Sequence, residues 1–453
     1  MKSMTVREIA DAVGGTILCG DPETIVTNVQ YDSRTVTDGS LFVPIRGEKV
    51  DAHQFIEQCM QKGAAAFTQY DAPYEAVKPY IKVNDTLAAL QKLAAVYRSE
   101  FTDLRLVGVT GSVGKTSTKE MIAAALSKGF NVMKTSGNKN SQIGMSATMF
   151  DICEENEAAV IEMGISEFGE MDRLCDISHP NIAVMTNIGT AHIENLKTQE
   201  NIRSEKLKIT NNFDEKGILF INGDDKLLAE LAGKQPFKTI SFGMGEDNDY
   251  YADKVETEGF NTSFLCVNVG GVKRFTIPAL GRHSVTNALA AIAIARYLGL
   301  KDDVIQAGLL TYKNAPMRQQ IYQLDRFTVI DDSYNASPEA TKVSLDVLKS
   351  IAKNKSIAVL ADMLELGERS AELHYSVGKH LADIGVDTLI AVGKLSEETA
   401  KGAADNGCQN VVMAANNDIA FEILENLIED GCTILVKGSR GMHTDEIVKK
   451  IIE

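Results

Sequence analysis

Short, almost wholly apolar runs recur along this chain, separated by stretches of helical periodicity. After residue 85 they fall at Leu104–Val109, Ala158–Met163, Ile182–Ile188, Ile218–Ile221 and Thr239–Phe242. Runs of this length and purity predict strands buried on both faces, and alternation with helices predicts a parallel sheet covered on both sides. From Tyr250 to Ile277 the pattern becomes β-only, with a turn at Gly270-Gly271, and a long helix over His283–Tyr297 follows. A second alternating series has strand candidates at Phe327–Ile330, Ser356–Leu360, Thr388–Val392, Asn410–Met413 and Thr433–Val436. The first 84 residues are mixed. Short strands are predicted within Ile25–Arg34 and Ser40–Gly47, a helix over Ala52–Lys62 and a strand over Ala64–Thr68. The expectation is an α/β protein of three domains, 1–84, 85–314 and 315–453. Its ligand site should lie at strand carboxyl ends, in the cleft between the two larger domains.

At 453 residues the chain is too long for one core, which agrees with several domains. The longest helical apolar stretch, Ser284–Ala295, is too short to span a bilayer, and the N-terminus lacks an apolar signal core, so a cytoplasmic protein without membrane insertion is expected. Seven scattered cysteines without a C-x-x-C pair read as reduced thiols rather than a disulfide frame or zinc site. A formal charge of −16 argues against nucleic-acid binding. It leaves room for small anionic substrates met by local cations.

Those cations concentrate in one stretch. The run Leu104–Val109 ends in Thr110-Gly111-Ser112-Val113-Gly114-Lys115-Thr116-Ser117, and a helical pattern follows over Lys119–Leu126. Strand, glycine turn and helix in that order suit a phosphate: backbone N–H groups curl around its oxygens, and the helix N-terminus adds partial positive charge. Lys115 would reach the β- and γ-phosphates and Thr116 would hold Mg²⁺. Val109 stands where the generic phosphate loop has its first glycine, so the loop is the tighter G-x-x-G-K-T form. An ordinary glycine-rich strand-to-helix turn is the other reading.

Further polar residues close predicted strands. Glu162 ends one, where a carboxylate is costly unless it is paired or holds metal. His192 follows Thr186-Asn187-Ile188-Gly189-Thr190-Ala191, and by itself reads as structural as readily as a ligand. Lys206 lies in a helical stretch and reads by pattern as a solvated lysine. Asp331-Asp332-Ser333-Tyr334-Asn335-Ala336-Ser337-Pro338 ends a strand and predicts a helix cap in which the acids take part, or a site for ribose or metal. The turn Lys437-Gly438-Ser439 closes the last strand.

Taken together, the phosphate loop, Glu162-Met163-Gly164, Thr186–His192 and Gly281-Arg282-His283-Ser284-Val285-Thr286-Asn287-Ala288 resemble the Mur ligase family, the ATP-dependent amide-forming enzymes of peptidoglycan precursor synthesis. Within it, Ile330–Pro338, Leu360-Ala361-Asp362-Met363-Leu364-Glu365-Leu366-Gly367, Tyr31-Asp32-Ser33-Arg34 and Leu41–Glu48 resemble the branch that adds a dipeptide. The resemblance implies a small UDP-substrate domain, a central ATPase-type doubly wound sheet and a C-terminal Rossmann-like domain that closes over ATP and binds the dipeptide. It implies a reaction between UDP-N-acetylmuramoyl-tripeptide, ATP and D-alanyl-D-alanine through an acyl phosphate, in a monomer. Gly111, Ser112, Gly114, Lys115, Thr116, Ser117, His283, Asn287, Arg318 and Asp331 would bind the nucleotide. Thr116, Glu162, His192 and Lys206 would hold two Mg²⁺, with Lys206 carbamylated by CO₂. Ser33, Arg34, Asn138, Tyr334 and Asn335 would contact the peptide-bearing substrates. The chain departs from the family pattern at Lys197-Thr198, Lys208, Ser284 and Ser337. Lys208 is the alternative to Lys206. A sister ligase adding a single amino acid, or a non-catalytic nucleotide-binding partner on the same scaffold, are the competing functions.

Overall fold

The computed structural model describes residues 1–47, 49–71 and 76–453; Glu48, the last residue of the Leu41–Glu48 motif, lies outside them. Three sheets of more than two strands carry the described chain. The first has five strands in the order Thr16–Cys19, Tyr80–Lys82, Ala65–Thr68, Ser40–Phe42, Asn28–Gln30, parallel except for Thr16–Cys19 at one edge. Its strands are shorter than the apolar pattern predicts. The run from Ile25 breaks into Ile25–Val26, Asn28–Gln30 and a 3₁₀ turn over Ser33–Thr35, because the Asp32 carboxylate accepts the Arg34 N–H and starts the turn. The predicted helix over Ala52–Lys62 is likewise a 3₁₀ turn, Ala52–Phe55, followed by the short helix Ile56–Met60.

The second sheet has nine strands. From one edge they run Val132–Lys134, Ala158–Glu162, Arg105–Thr110, Ile182–Met185, Ile218–Asn222, Lys238–Gly243 and Tyr250–Glu258, all parallel. Asn261–Asn268 and Gly271–Ile277 then extend the same sheet as an antiparallel meander. The chain leaves Arg105–Thr110 towards one edge and later returns to its other side. That strand therefore stands at the topological switch point, where doubly wound sheets bind ligands.

Both faces of this sheet are covered. Helices Lys115–Leu126 and Arg282–Tyr297 bury Met121, Ile122, Leu289 and Ile292 against Val109, Val160 and Phe220. On the other face, Leu93 and Tyr97 of helix Thr86–Ser99 pack with Leu106, Ile161 and Met185. The same apolar cluster takes in Leu41, Phe67 and Ile81 of the first sheet, so a continuous core joins the first two sheets across that helix.

The third sheet has six strands in the order Gln320–Gln323, Thr328–Asp331, Thr433–Lys437, Ser356–Ala361, Thr388–Val392, Asn410–Ala414. All are parallel except Gln320–Gln323, a polar edge strand that carried no apolar signal. Helix Pro338–Ile351 starts differently from the expectation. Ser337 is its N-cap, accepting the Ala340 N–H at 3.3 Å, with Pro338 at the first helical position. Asp331 and Asp332 take no part in the cap and are free for other contacts.

In this third unit, helices Ser370–Asp383 and Glu397–Asp405 meet through glycines. A Cβ on Gly378 would lie 1.9 Å from the Thr399 carbonyl oxygen. Alanine gains about 0.5–1 kcal/mol over glycine within a helix. Forced backbone separation costs about 1–3 kcal/mol and outweighs it. Gly378→Ala should therefore lower the urea midpoint of the third unit; an unchanged or raised midpoint would show that the helices part freely.

Candidate active site

The phosphate loop begins where Arg105–Thr110 ends, and its shape is set by a neighbouring strand end. A Cβ on Gly111 would lie 1.9 Å from Thr186 Oγ1, so only glycine fits. Gly114, at φ 83°, turns the chain into helix Lys115–Leu126. Asn187 clamps the loop from outside. Its Oδ1 accepts the Val113 N–H at 2.9 Å, its carbonyl accepts the Ser112 N–H at 3.0 Å, and its amide donates to the Val113 carbonyl at 3.0 Å. Thr186 Oγ1 donates to that same carbonyl at 2.6 Å. The Thr-Asn pair of the third strand end thus fixes the curvature of the first.

Within the loop, Lys115 folds back and donates to the carbonyls of Gly111, at 2.8 Å, and Ser112, at 3.3 Å. Enclosure pushes its pKa below the ordinary lysine value; Glu162 opposes that shift and Arg318 adds to it. The Ser112 hydroxyl is buried and has no hydrogen-bond partner among the described residues. An anion seated here would find a lysine bonded only to carbonyls, an unused hydroxyl and a second cation.

Glu162 closes the adjacent parallel strand, 2 % exposed. Its Oε2 accepts from Thr116 Oγ1 and its Oε1 from the Asn140 amide, both at 2.8 Å. The Glu162 N–H donates to Thr135 Oγ1, and fully buried Lys119 donates to the Thr135 carbonyl at 2.7 Å. The carboxylate is therefore held from several sides beside the threonine that follows the loop lysine. A hydroxyl and a carboxylate oxygen suit a hard cation such as Mg²⁺. Among the described residues no cluster of three or more His, Cys, Asp or Glu could hold a metal.

The third unit brings the opposite wall. Arg318 lies over the Tyr334 ring, 4.1 Å from its centroid. Lys437 donates to Asp332 Oδ2 at 2.5 Å and to the Asn335 carbonyl at 2.9 Å; Ser344 Oγ also donates to Asp332 Oδ2. Between the walls is a cavity of about 430 Å³. Of the residues predicted from sequence, Ser112, Gly114, Lys115, Thr116, Ser117, Glu162, His192, His283, Asn287, Arg318 and Asn335 line it. Burial holds His283 below the ordinary histidine pKa against the pull of Asp332 and Gln319. Asn287 Oδ1 accepts from Thr118 Oγ1.

Several of the predicted residues do not line this cavity. Asp331 does not line the cavity: its Oδ1 is taken by the Ser333 N–H and hydroxyl, and burial raises its pKa. Strand alternation turns Asp332 to the cavity instead. Tyr334 supports Arg318 from below rather than lining the space. Asn138 is exposed, and Asn140, two residues on, reaches Glu162. Ser33 and Arg34 lie in the first unit, away from the cavity; Arg34 is bidentate to Asp32, whose carboxyl it holds down to about 2.

Lys206 is not the solvated lysine that its helical pattern suggested. It is 2 % exposed, and its ammonium makes no hydrogen bond or ion pair among the described residues. Burial, then the charge of Lys115, drives its pKa well below the ordinary lysine value; Glu205 and Glu170 oppose the shift. Lys208 is the opposite case. It pairs with Asp172 at 2.7 Å and Glu205 at 2.8 Å, and these raise its pKa. Lys197 donates to the Glu194 carbonyl. Of the two lysines, only Lys206 is an unpaired, buried amine.

Two acids of the third unit reach across to the second. Glu365 Oε2 lies 3.1 Å from His192 Nδ1, and Glu339 Oε1 accepts from the Thr190 N–H and hydroxyl. Burial lowers the His192 pKa, with Glu365 opposing. Sequence reasoning singled out neither Glu339 nor the Asn140 contact. Each depends on a fold-generated juxtaposition, although the motif Leu360–Gly367 already contained Glu365.

Three family models match the chain: Mur ligase family, catalytic domain, over residues 25–98; Mur ligase middle domain over 109–295; and Mur ligase, glutamate ligase domain, over 317–440. The UDP-N-acetylmuramoyl-tripeptide–D-alanyl-D-alanine ligase of Bacillus subtilis is 38% identical over 100% of this chain and 99% of its own. The ligase of that name in Escherichia coli is 32% identical over the same shares. Among solved structures, MurF from Acinetobacter baumannii superposes with TM-score 0.92 at 29% identity, covering 100% of this chain and 99% of that one. MurF ligase from Thermotoga maritima in complex with ADP superposes with TM-score 0.83 at 27% identity, covering 94% and 96%.

Lys115→Ala should lower ATP turnover by a factor on the order of 10²–10³, with the thermal midpoint unchanged. Turnover within twofold of the parent would remove Lys115 from the site.

Proposed function

The chain belongs to the Mur ligase family, and on that premise we propose that it is an ATP-dependent amide ligase joining D-alanyl-D-alanine to UDP-N-acetylmuramoyl-tripeptide in peptidoglycan precursor synthesis. Full-length relatives named for that reaction support the reading. The observation that carries it on geometry is the cavity in which the loop residues Lys115 and Thr116 face Arg318 and Asp332 of the third unit. The compared relatives are named for dipeptide addition rather than for a single amino acid. Lys115, Thr116, Glu162 and His192, all present, weigh against a non-catalytic partner.

The tripeptide carboxylate attacks the γ-phosphorus; an O–P bond forms and ADP leaves. The neutral amine of the dipeptide then attacks the acyl carbon; a C–N bond forms through a tetrahedral intermediate, the acyl C–O bond breaks as phosphate departs, and one amine proton is released. The first step brings anions together, so its barrier is chiefly electrostatic. Loop N–H groups cradle the phosphates. Lys115 exchanges its two carbonyls for β- and γ-oxygens, and Arg318 approaches from the other wall. Thr116 and Glu162 would hold Mg²⁺, which would supply positive charge against the triphosphate.

Lys206 meets the requirement for carbamylation. A neutral amine is the nucleophile towards CO₂: an N–C bond forms and one proton is released. Its lowered pKa leaves more of this amine neutral at pH 7 than in an ordinary lysine. The product is an anionic oxygen donor that, with His192, suits a second Mg²⁺. Ser33 and Arg34, on the first unit, are proposed to meet the uridine diphosphate end. The nucleotide-linked substrate and the free thiols fit a reducing cytoplasm. No helix among the described residues is long and apolar enough to cross a membrane.

Phosphate release should require ATP, UDP-muramoyl-tripeptide and dipeptide together. Release from ATP alone at the same rate, or none with all three, would overturn the function. Lys206→Ala should lose most activity and regain part of it with millimolar short-chain carboxylic acids. Full activity without them would end the carbamate assignment.

A further inference from the structure

One polar group on the cavity wall is left over by the chemistry described. Glu339, in the first turn of helix Pro338–Ile351, uses Oε1 to accept from the Thr190 N–H, at 3.2 Å, and from its hydroxyl, at 2.9 Å. Its Oε2 is buried and has no partner among the described residues. Glu339 forms no ion pair among the described residues, and Arg369, the cation that senses its charge, is already bidentate to Glu372. Across Gly189 stands the phosphate loop: a Cβ on Gly189 would lie 3.2 Å from Glu339 Cδ and 3.3 Å from Ser112 Cβ. Ser112 is 8 % exposed, and its Oγ too is unpartnered. A carboxylate oxygen and a hydroxyl, both unused, thus flank the loop where the third unit closes on the second.

An unpaired carboxylate there opposes a bound polyphosphate unless a cation comes with the reaction. Metal is poorly served, since Oε1 is already committed to Thr190 and no cluster of three or more metal-ligating side chains exists among the described residues. A primary ammonium fits better: it brings one positive charge and a donor for Oε2, and leaves Ser112 Oγ to the phosphate. Resting on the proposed function, we propose that Glu339 orients the incoming dipeptide, its Oε2 receiving the terminal ammonium, which gives up one proton before the amine attacks the acyl carbon.

Glu339→Gln keeps an oxygen for Thr190 and removes only the charge. The parent enzyme must first turn over with all three substrates; if it does not, the proposed function fails rather than this inference. The variant should then raise KM for D-alanyl-D-alanine at least about tenfold, as loss of a charge-assisted hydrogen bond does, while KM for ATP and for UDP-tripeptide and the Mg²⁺ dependence stay within twofold. D-lactyl-D-alanine, whose hydroxyl replaces the ammonium, should inhibit parent and variant with equal constants. An unchanged dipeptide KM, a joint rise of all three constants as for a lost domain latch, or a shifted Mg²⁺ dependence would each overturn the assignment.

Discussion

The site depends on three neighbouring parallel strands held in register. Arg105–Thr110 lies between Ala158–Glu162 and Ile182–Met185, with Val109 beside Glu162 on one side and Thr110 beside Met185 on the other. The phosphate loop, the carboxylate and the Thr186-Asn187 clamp all sit at the carboxyl ends of these strands, one from each. A slip of one residue in Ala158–Glu162 would turn Glu162 to the opposite face and leave a buried carboxylate without Thr116 and Asn140. Apolar packing on both faces fixes the register, so the core and the site are specified by the same residues.

Electrostatics then distinguishes this cleft from the rest of an acidic molecule. The chain carries a formal charge of −16, yet Lys115 and Arg318 both line the cavity where a triphosphate would sit, with Lys206 near enough to sense Lys115. Burial and a neighbouring cation, Arg318 for Lys115 and Lys115 for Lys206, depress the proton affinity of both lysines, and a bound anion would offset that cost. The acids that reach across, Glu339 and Glu365, contact Thr190 and His192 of the segment just beyond the clamp. Closure of the third unit is thereby tied to the loop that binds phosphate.

Much of this was legible in the sequence because the governing signals are local. Apolar runs located most strands of the two large sheets, although the short edge strand Val132–Lys134 was missed and Ile182–Ile188 overran Ile182–Met185 by three residues, and strand–glycine–helix order located the loop. The features that escaped depend on distance or on one-residue alternation. Gln320–Gln323 is a polar edge strand with no apolar signal. Asp331 and Asp332 differ only in which face of the chain they present, and Asn138 and Asn140 only in which of two loop positions meets Glu162. Lys206 has the surroundings of a solvated lysine in sequence; its burial is created by the tertiary fold, and only the family resemblance singled it out.

The central claim is that this cleft activates a peptide carboxylate as an acyl phosphate before any amine arrives. Positional isotope exchange tests it directly: ATP labelled with ¹⁸O at the β–γ bridge is incubated with the protein and UDP-muramoyl-tripeptide, without dipeptide. Scrambling of the label into the β non-bridging positions, dependent on the tripeptide and lost in Lys115→Ala, is the expected result. Product formation with all three substrates but no scrambling when the dipeptide is withheld, under conditions where bound ADP can rotate and the step can reverse, would contradict it.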